Sequence, residues 1–166
     1  MKRIGLMSDT HSHLPQGVFE HFANVDEIWH AGDFGDMQLI TQLSAFKPLC
    51  GVYGNIDGTD IRKHFPETRC FTVEGVKVLM RHIGGYPKKY APGIKALIQQ
   101  ERPQLFISGH SHILKIMYDD ALQCLHINPG ACGQQGWHTV KTLVRFSIDG
   151  SRIFDCEVIE LGRRGQ

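Results

Sequence analysis

Apolar residues in the first half of the chain fall in short runs that alternate with amphipathic stretches. Residues 3–8 form the first run, which reads as a strand and ends at Asp9-Thr10-His11-Ser12-His13. Pro15 suits a first helical turn, and Val18, Phe19 and Phe22 follow as the apolar face of a helix. Residues 27–31 predict a second strand, broken at Gly32-Asp33. Residues 36–45 predict a helix with Met37, Ile40 and Leu43 at helical spacing. A third strand over 49–53 stops at Gly54-Asn55-Ile56-Asp57-Gly58, and a short helix over 61–65 precedes Pro66.

The pattern then changes. Residues 70–80 predict a hairpin turning at Glu74-Gly75, running into a loop over 81–87. Residues 92–101 predict a helix with Ile94, Leu97 and Ile98 inward, and 104–108 a compact buried strand ending at Gly109-His110-Ser111-His112. Beyond it the chain reads as mainly β, with strands over 114–118, 122–127, 139–147 and 152–159 and a frayed tail from 162. Strand–helix alternation followed by strands fits an α/β (α+β) chain with two packed sheets and helices outside, as a single domain over 1–166.

Composition adds bounds. A hydrophobic fraction of 42%, a charged fraction of 21% and a net charge of +1 are ordinary for a globular protein and carry no global basic excess for nucleic acid. Five cysteines without a C-x-x-C pair argue against a disulfide framework or a zinc knuckle and for free thiols in the cytoplasm. No apolar run is long enough for a signal peptide or a membrane span. Ten histidines are the one oddity and motivate a search for a metal site.

If the backbone stays extended through Gly109-His110-Ser111-His112, the two imidazoles point to one side of a sheet's carboxyl end, where α/β sheets bind ligands. Asp9, His11, Asp33, Asn55 and His82 likewise follow apolar strands. Carboxylate, amide oxygen and imidazole suit a borderline divalent transition ion, and seven such groups suit two ions with one carboxylate bridging. Glycine precedes Asp33, Asn55 and His110, which permits sharp turns there.

In this order the motifs resemble the calcineurin-like metallophosphoesterases, whose pattern is Asp-x-His, Gly-Asp, Gly-Asn-His-Asp/Glu, a single His and Gly-His-x-His. The matching residues are Asp9 and His11, Gly32-Asp33, Gly54-Asn55-Ile56-Asp57, His82, and Gly109-His110-Ser111-His112, over residues 1 to about 135. Asn128-Pro129-Gly130 is similar to a motif of the small single-domain prokaryotic phosphodiesterase branch. The resemblance implies a four-layer αββα sandwich of two mixed sheets. It implies Asp9, His11 and His112 on a first metal, Asn55, His82 and His110 on a second, and Asp33 as the bridge, the ions about 3.5–4 Å apart. Manganese is the first candidate, with iron, zinc and nickel as alternatives. Asp33, Asn55 and His82 become catalytic residues, with a metal-activated water as the nucleophile on a phosphate ester.

One departure matters. The family's histidine after the motif asparagine is Ile56 here, which cannot protonate a leaving group. His13 and His138 are candidate replacements, Arg81 a candidate phosphate contact, and Asp57 a candidate for orienting a ligand. His30 reads as a strand-end histidine bonded to backbone. The missing acid and the branch resemblance favour a phosphodiesterase. A phosphomonoesterase is the nearest alternative, and a non-catalytic interaction scaffold, a role a retromer subunit of this fold takes, is another. No membrane partner is expected, nucleic acid is disfavoured for want of a basic stripe, and a homodimer is compatible with the size.

Overall fold

The computed structural model describes all 166 residues. In chain order the elements are β1 (Lys2–Met7), α1 (Gly17–His21), β2 (Glu27–His30), α2 (Met37–Phe46), β3 (Leu49–Gly51), α3 (Thr59–Arg62), β4 (Thr68–Val73) and β5 (Val76–Arg81). They continue as β6 (Gly85–Tyr86), β7 (Lys89–Tyr90), α4 (Ile94–Glu101), β8 (Leu105–Ile107), β9 (Lys115–Asp119), β10 (Cys124–Asn128), β11 (Val140–Asp149) and β12 (Arg152–Arg163).

Two five-stranded mixed sheets result, ordered β12-β11-β1-β2-β3 and β4-β5-β8-β10-β9. Alternation along each strand decides the layers. Ile4, Leu6, Trp29, Val144, Phe146 and Ile148 of the first sheet meet Val76, Val78, Met80, Leu105, Ile107 and Ile127 of the second in one buried cluster. The intervening positions face outward. Met7, Ile28 and Leu143 pack under α1, α2 and α3 through Val18, Leu39, Ile40, Leu43 and Ile61. Leu79 and Phe106 pack under Ile94 and Ile98 of α4. Helices, sheet, sheet and helix give the four-layer αββα sandwich.

Strands β1, β2 and β3 pair in parallel, as do β5, β8 and β10. Parallel pairing brings the carboxyl ends of neighbouring strands to the same edge of each sheet, so the loops after β1, β2, β3, β5 and β8 gather there. Asp36 caps α2, its carboxylate accepting from the Leu39 N–H at 2.9 Å.

The structure corrects two expectations. The loop over 81–87 contains β6, which pairs with β7 as a two-residue ribbon too short for periodicity to register. The tail is tied down. Arg164 donates through its backbone N–H to Thr139 O at 2.9 Å and through Nε to His138 O at 2.7 Å, and the Lys141 ammonium donates to Gln166 O at 2.8 Å.

Trp29 is fully buried where the sheets meet, edge-on to Phe71 of β4 at 5.1 Å and to Phe146 of β11 at 5.7 Å. Trp29→Ala should therefore destabilise the protein by about 3–5 kcal/mol in denaturant unfolding. A loss below about 1 kcal/mol would contradict the sandwich packing.

Candidate metal centre

The loops at the shared edge bring the seven sequence-predicted ligand residues together, from five different strand ends. Asp9, His11 and His112 form one cluster of donors, and Asp33, His82 and His110 a second, the donor atoms within each lying within 4.8 Å of one another. Asn55 adjoins the second, with His110 Nδ1–H donating to Asn55 Oδ1 at 3.0 Å. Asp33 connects the two, its Oδ2 lying 3.4 Å from His11 Nε2 and 3.1 Å from His82 Nε2. Asp9 Oδ1 lies 3.1 Å from His112 Nε2.

Each carboxylate has one oxygen engaged by ordinary hydrogen bonds. Asp9 Oδ2 accepts from Ser8 Oγ at 2.6 Å and from the His110 N–H at 3.1 Å. Asp33 Oδ1 accepts from the Ile56 N–H at 3.0 Å. The other oxygens face the imidazoles. Asp9 Oδ1, His11 Nε2 and His82 Nε2 are buried without a hydrogen-bond partner. Buried polar atoms are seldom left so, and a cation in each cluster would satisfy them. His82 Nδ1–H donates to Ala31 O at 2.7 Å, which fixes its tautomer with the Nε2 lone pair toward the carboxylates. The donor set thus fits divalent cations by chemistry and orientation.

The carboxylates and imidazoles shift one another's titration. Burial alone would push the Asp9 carboxyl up, but His11, His112 and His82 outweigh it and hold it well below the usual carboxylate range. Asp33 is depressed likewise, against its burial, by His11 and His82. Asp33, then Asp9, raise His11 to about 9. His82 is raised too, because Asp33 and Asp9 outweigh its desolvation.

The supporting side chains were only partly visible in sequence. Asp57 is buried, and its carboxylate accepts from the backbone N–H groups of Asp33 at 3.0 Å, Phe34 at 3.2 Å, Gly35 at 3.0 Å and Gly54 at 2.8 Å. It therefore clamps the Asp33 loop to the Asn55 loop. Asn128 holds the histidine loop, donating from Nδ2 to Gly109 O at 3.0 Å and to Ser111 Oγ at 3.1 Å. Ser8 and Thr10 were missed, and nothing in their spacing signals them. His30 accepts at Nδ1 from the Gly32 N–H at 3.1 Å, so its Nε2–H donates to Thr10 Oγ1 at 3.0 Å, and Thr10 donates on to Phe34 O at 2.8 Å.

Two expectations about the backbone are corrected. The backbone at Gly109-His110-Ser111-His112 is not extended: φ is +70° at His110 and +63° at His112. Asp9, His11, Ser12 and Asp33 are left-handed as well, a rare state for non-glycine residues. Of the three glycines before ligands, only Gly32 has a positive φ, +107°. Gly54 and Gly109 are needed for space, because a Cβ would collide with Asp33 Oδ1 at the first and Ser8 Oγ at the second. Arg81 is engaged by Glu67 at 2.8 Å and Thr68 at 3.2 Å. It lines, with Tyr53, Arg62 and Ile83, a cleft of about 410 Å³ that opens beside Asn55 and His82. His13 lies against Gln134 at 3.4 Å. His138 stacks edge-on to His112 at 5.2 Å, its Nε2–H donating to Gly133 O at 2.8 Å.

An αββα sandwich with histidine and carboxylate donors gathered at one edge defines a class of candidate metal-binding proteins. The chain matches the calcineurin-like phosphoesterase superfamily domain over residues 1–151. It is 31% identical to a probable metallophosphoesterase of Methanothermobacter thermautotrophicus, over 96% of this chain and 92% of the relative. It is 28% identical to a phosphodiesterase of Methanocaldococcus jannaschii, over 78% and 84%. Among solved structures, an archaeal phosphodiesterase superposes with a TM-score of 0.75 at 26% identity, covering 96% of this chain and 99% of that one. Vps29 of Chaetomium thermophilum shares the fold, with a TM-score of 0.76 at 13% identity over 98% and 100%. The chain belongs to the calcineurin-like phosphoesterase family. No helix is long and apolar enough to cross a membrane.

Two predictions follow from this geometry. Asp57→Asn keeps the volume but turns an amide toward N–H donors, and should weaken divalent-metal affinity about 10–100-fold by isothermal titration. Unchanged affinity would remove Asp57 from the ligand support. Burial lowers His30 from 6.5 to about 3 and His126 from 6.5 to about 4. The unfolded chain takes up these protons first, so stability held above pH 6.5 falls as the pH drops from 6.5 toward 4. Each histidine contributes about 1.4 kcal/mol per pH unit. His126→Asn should remove one such contribution from the slope, and an unchanged slope would contradict the assignment.

Proposed function

We propose that this chain is a dinuclear metal-dependent phosphodiesterase, with residues 1–166 acting as one domain. The observation that carries the reading is the convergence of Asp9 Oδ1, His11 Nε2 and His82 Nε2, buried and unpartnered, around a carboxylate that reaches both donor clusters. Asp9, His11 and His112 would hold one cation, Asn55, His82 and His110 the other, and Asp33 would bridge. Two such cations supply Lewis-acid charge for the phosphoryl oxygens and lower the pKa of water toward neutrality. Manganese is the first metal to test, since this nitrogen and oxygen set also accepts iron, zinc or nickel.

The chain's own work is placement and proton control. Asp57 and the Ile56 N–H hold Asp33 with one oxygen toward His11 and His82. Ser8 and the His110 N–H do the same for Asp9. Ile56 provides no proton to a departing alkoxide, and His138 spends its Nε2 proton on Gly133 O. Leaving groups that depart unaided are therefore favoured, and with them diesters of acidic alcohols. The phosphodiesterase name of an archaeal relative supports the same preference.

The test is metal analysis with kinetics. Reconstituted protein should hold two transition ions per chain and hydrolyse an aryl phosphodiester faster than the matching monoester. Asp33→Asn should lower metal content and cut kcat/KM at least about 10³-fold, since both clusters lose their shared charge. Monoester preference would sink the diester reading. Less than one ion per chain after reconstitution would favour a non-catalytic scaffold.

A further inference from the structure

Nine large apolar side chains are exposed, and their distribution is uneven. Ile116, Met117 and Tyr118 lie on edge strand β9, Val158 lies on edge strand β12, and Met1 is the terminus. The other four sit on the loops of the metal centre: Ile56 (46% exposed), Ile83 (42%), Ile113 (60%) and Trp137 (96%). Ile56 follows Asn55, Ile83 follows His82 and Ile113 follows His112. Trp137 lies between Gly136, whose Cα sits against the His112 ring, and His138, whose ring meets the same imidazole at 5.2 Å. A single exposed apolar residue is ordinary, whereas a set placed around a binding site marks a ligand surface.

The two arginines at this mouth are held by neighbouring groups. The Arg62 guanidinium lies 4.4 Å over the Tyr53 ring and donates through Nε to Asp57 O at 2.7 Å. Arg81 is paired with Glu67 at 2.8 Å. The cleft that opens beside Asn55 and His82 carries Tyr53, Ile83, Ala91 and Pro92 on its wall. A polynucleotide would need a row of free cations along its path, and of the two arginines lining this cleft only Arg62 is without a carboxylate partner.

We propose that Ile56, Ile83, Ile113 and Trp137 form an apolar subsite for the ester groups flanking the phosphate, so that the site selects phosphodiesters carrying aryl or long alkyl groups over those carrying sugars. The inference rests on the phosphodiesterase reading above. Isoleucine is stiff at χ1 and loses little freedom on contact, and tryptophan offers a broad flat face at low entropic cost. An apolar ester group covers these surfaces in the complex, and a sugar hydroxyl there would be desolvated without a partner.

The test holds the leaving group constant. With manganese-loaded protein, kcat/KM is measured for p-nitrophenyl phosphodiesters whose second ester group is methyl, hexyl, phenyl or thymidin-5′-yl. The hexyl and phenyl esters should exceed the methyl ester at least about tenfold, and the thymidinyl ester should fall below the phenyl. Trp137→Ser and Ile113→Ser should each lower the phenyl-to-methyl ratio about threefold or more, with the methyl ester within about twofold of the parent. A second readout needs no turnover. Trp29 is fully buried, so the solvent-exposed emission belongs to Trp137, and diphenyl phosphate should shift it to the blue where dimethyl phosphate does not. A flat ester series with active methyl ester overturns the subsite and leaves the phosphodiesterase reading standing. If no diester is turned over, that reading fails, and absence of the emission shift then overturns the subsite as well.

Discussion

Two carboxylates are buried among four imidazoles at one edge of the sandwich, and the rest of the molecule is arranged around that constraint. An unpaired buried carboxylate costs several kcal/mol, so each must be satisfied without being consumed. The solution is the same at both. Asp9 gives Oδ2 to Ser8 and a backbone N–H and leaves Oδ1 to the imidazoles. Asp33 gives Oδ1 to a backbone N–H and leaves Oδ2 between His11 and His82. Hydrogen bonding fixes the orientation of each group, and the unspent oxygen carries the charge that a cation answers.

Holding these side chains at one point strains the chain. Five of the seven clustered residues, Asp9, His11, Asp33, His110 and His112, sit at positive φ. Each such residue costs about 1–2 kcal/mol, and the conformation persists only where the surroundings over-determine it. Here they do. The strands beneath are buried on both faces, Asp57 ties two loops through four N–H groups, and Asn128 ties a third. The backbone of Cys132 and Gly133 adds bonds to Ser8 O at 3.1 Å and Asp9 O at 3.2 Å.

This division explains what could be read from sequence. The sandwich was legible because burial on both faces imposes alternation: Leu105 and Ile107 face one layer and Phe106 the other. The donor set was legible because a chemically matched residue follows each of the five strands β1, β2, β3, β5 and β8. The geometry joining them was not. Left-handed φ at an aspartate or histidine leaves no mark on periodicity, so an extended His110–His112 pair was the natural but mistaken expectation. The roles of Gly54 and Gly109 depend on residues distant in sequence, Asp33 and Ser8, and only the folded chain shows the collision a Cβ would cause. The β6–β7 ribbon is two residues deep on each side, below the length at which a pattern exists.

Under the proposed function, Ile56 joins the chemistry of the centre to its specificity. Its N–H holds the Asp33 carboxylate, a task any residue but proline performs, so the side chain is free to vary without disturbing Asp33. An isoleucine there does two things at once. In the proposed reaction it would withhold a proton from the leaving group, and it adds exposed apolar surface beside Asn55. The first favours alcohols acidic enough to depart unaided, and the second favours alcohols with bulk that avoids water. Sugars meet neither condition and simple alkyl alcohols only the second, whereas a phenol meets both. The two consequences of one side chain thus converge on aryl esters, which neither would single out alone.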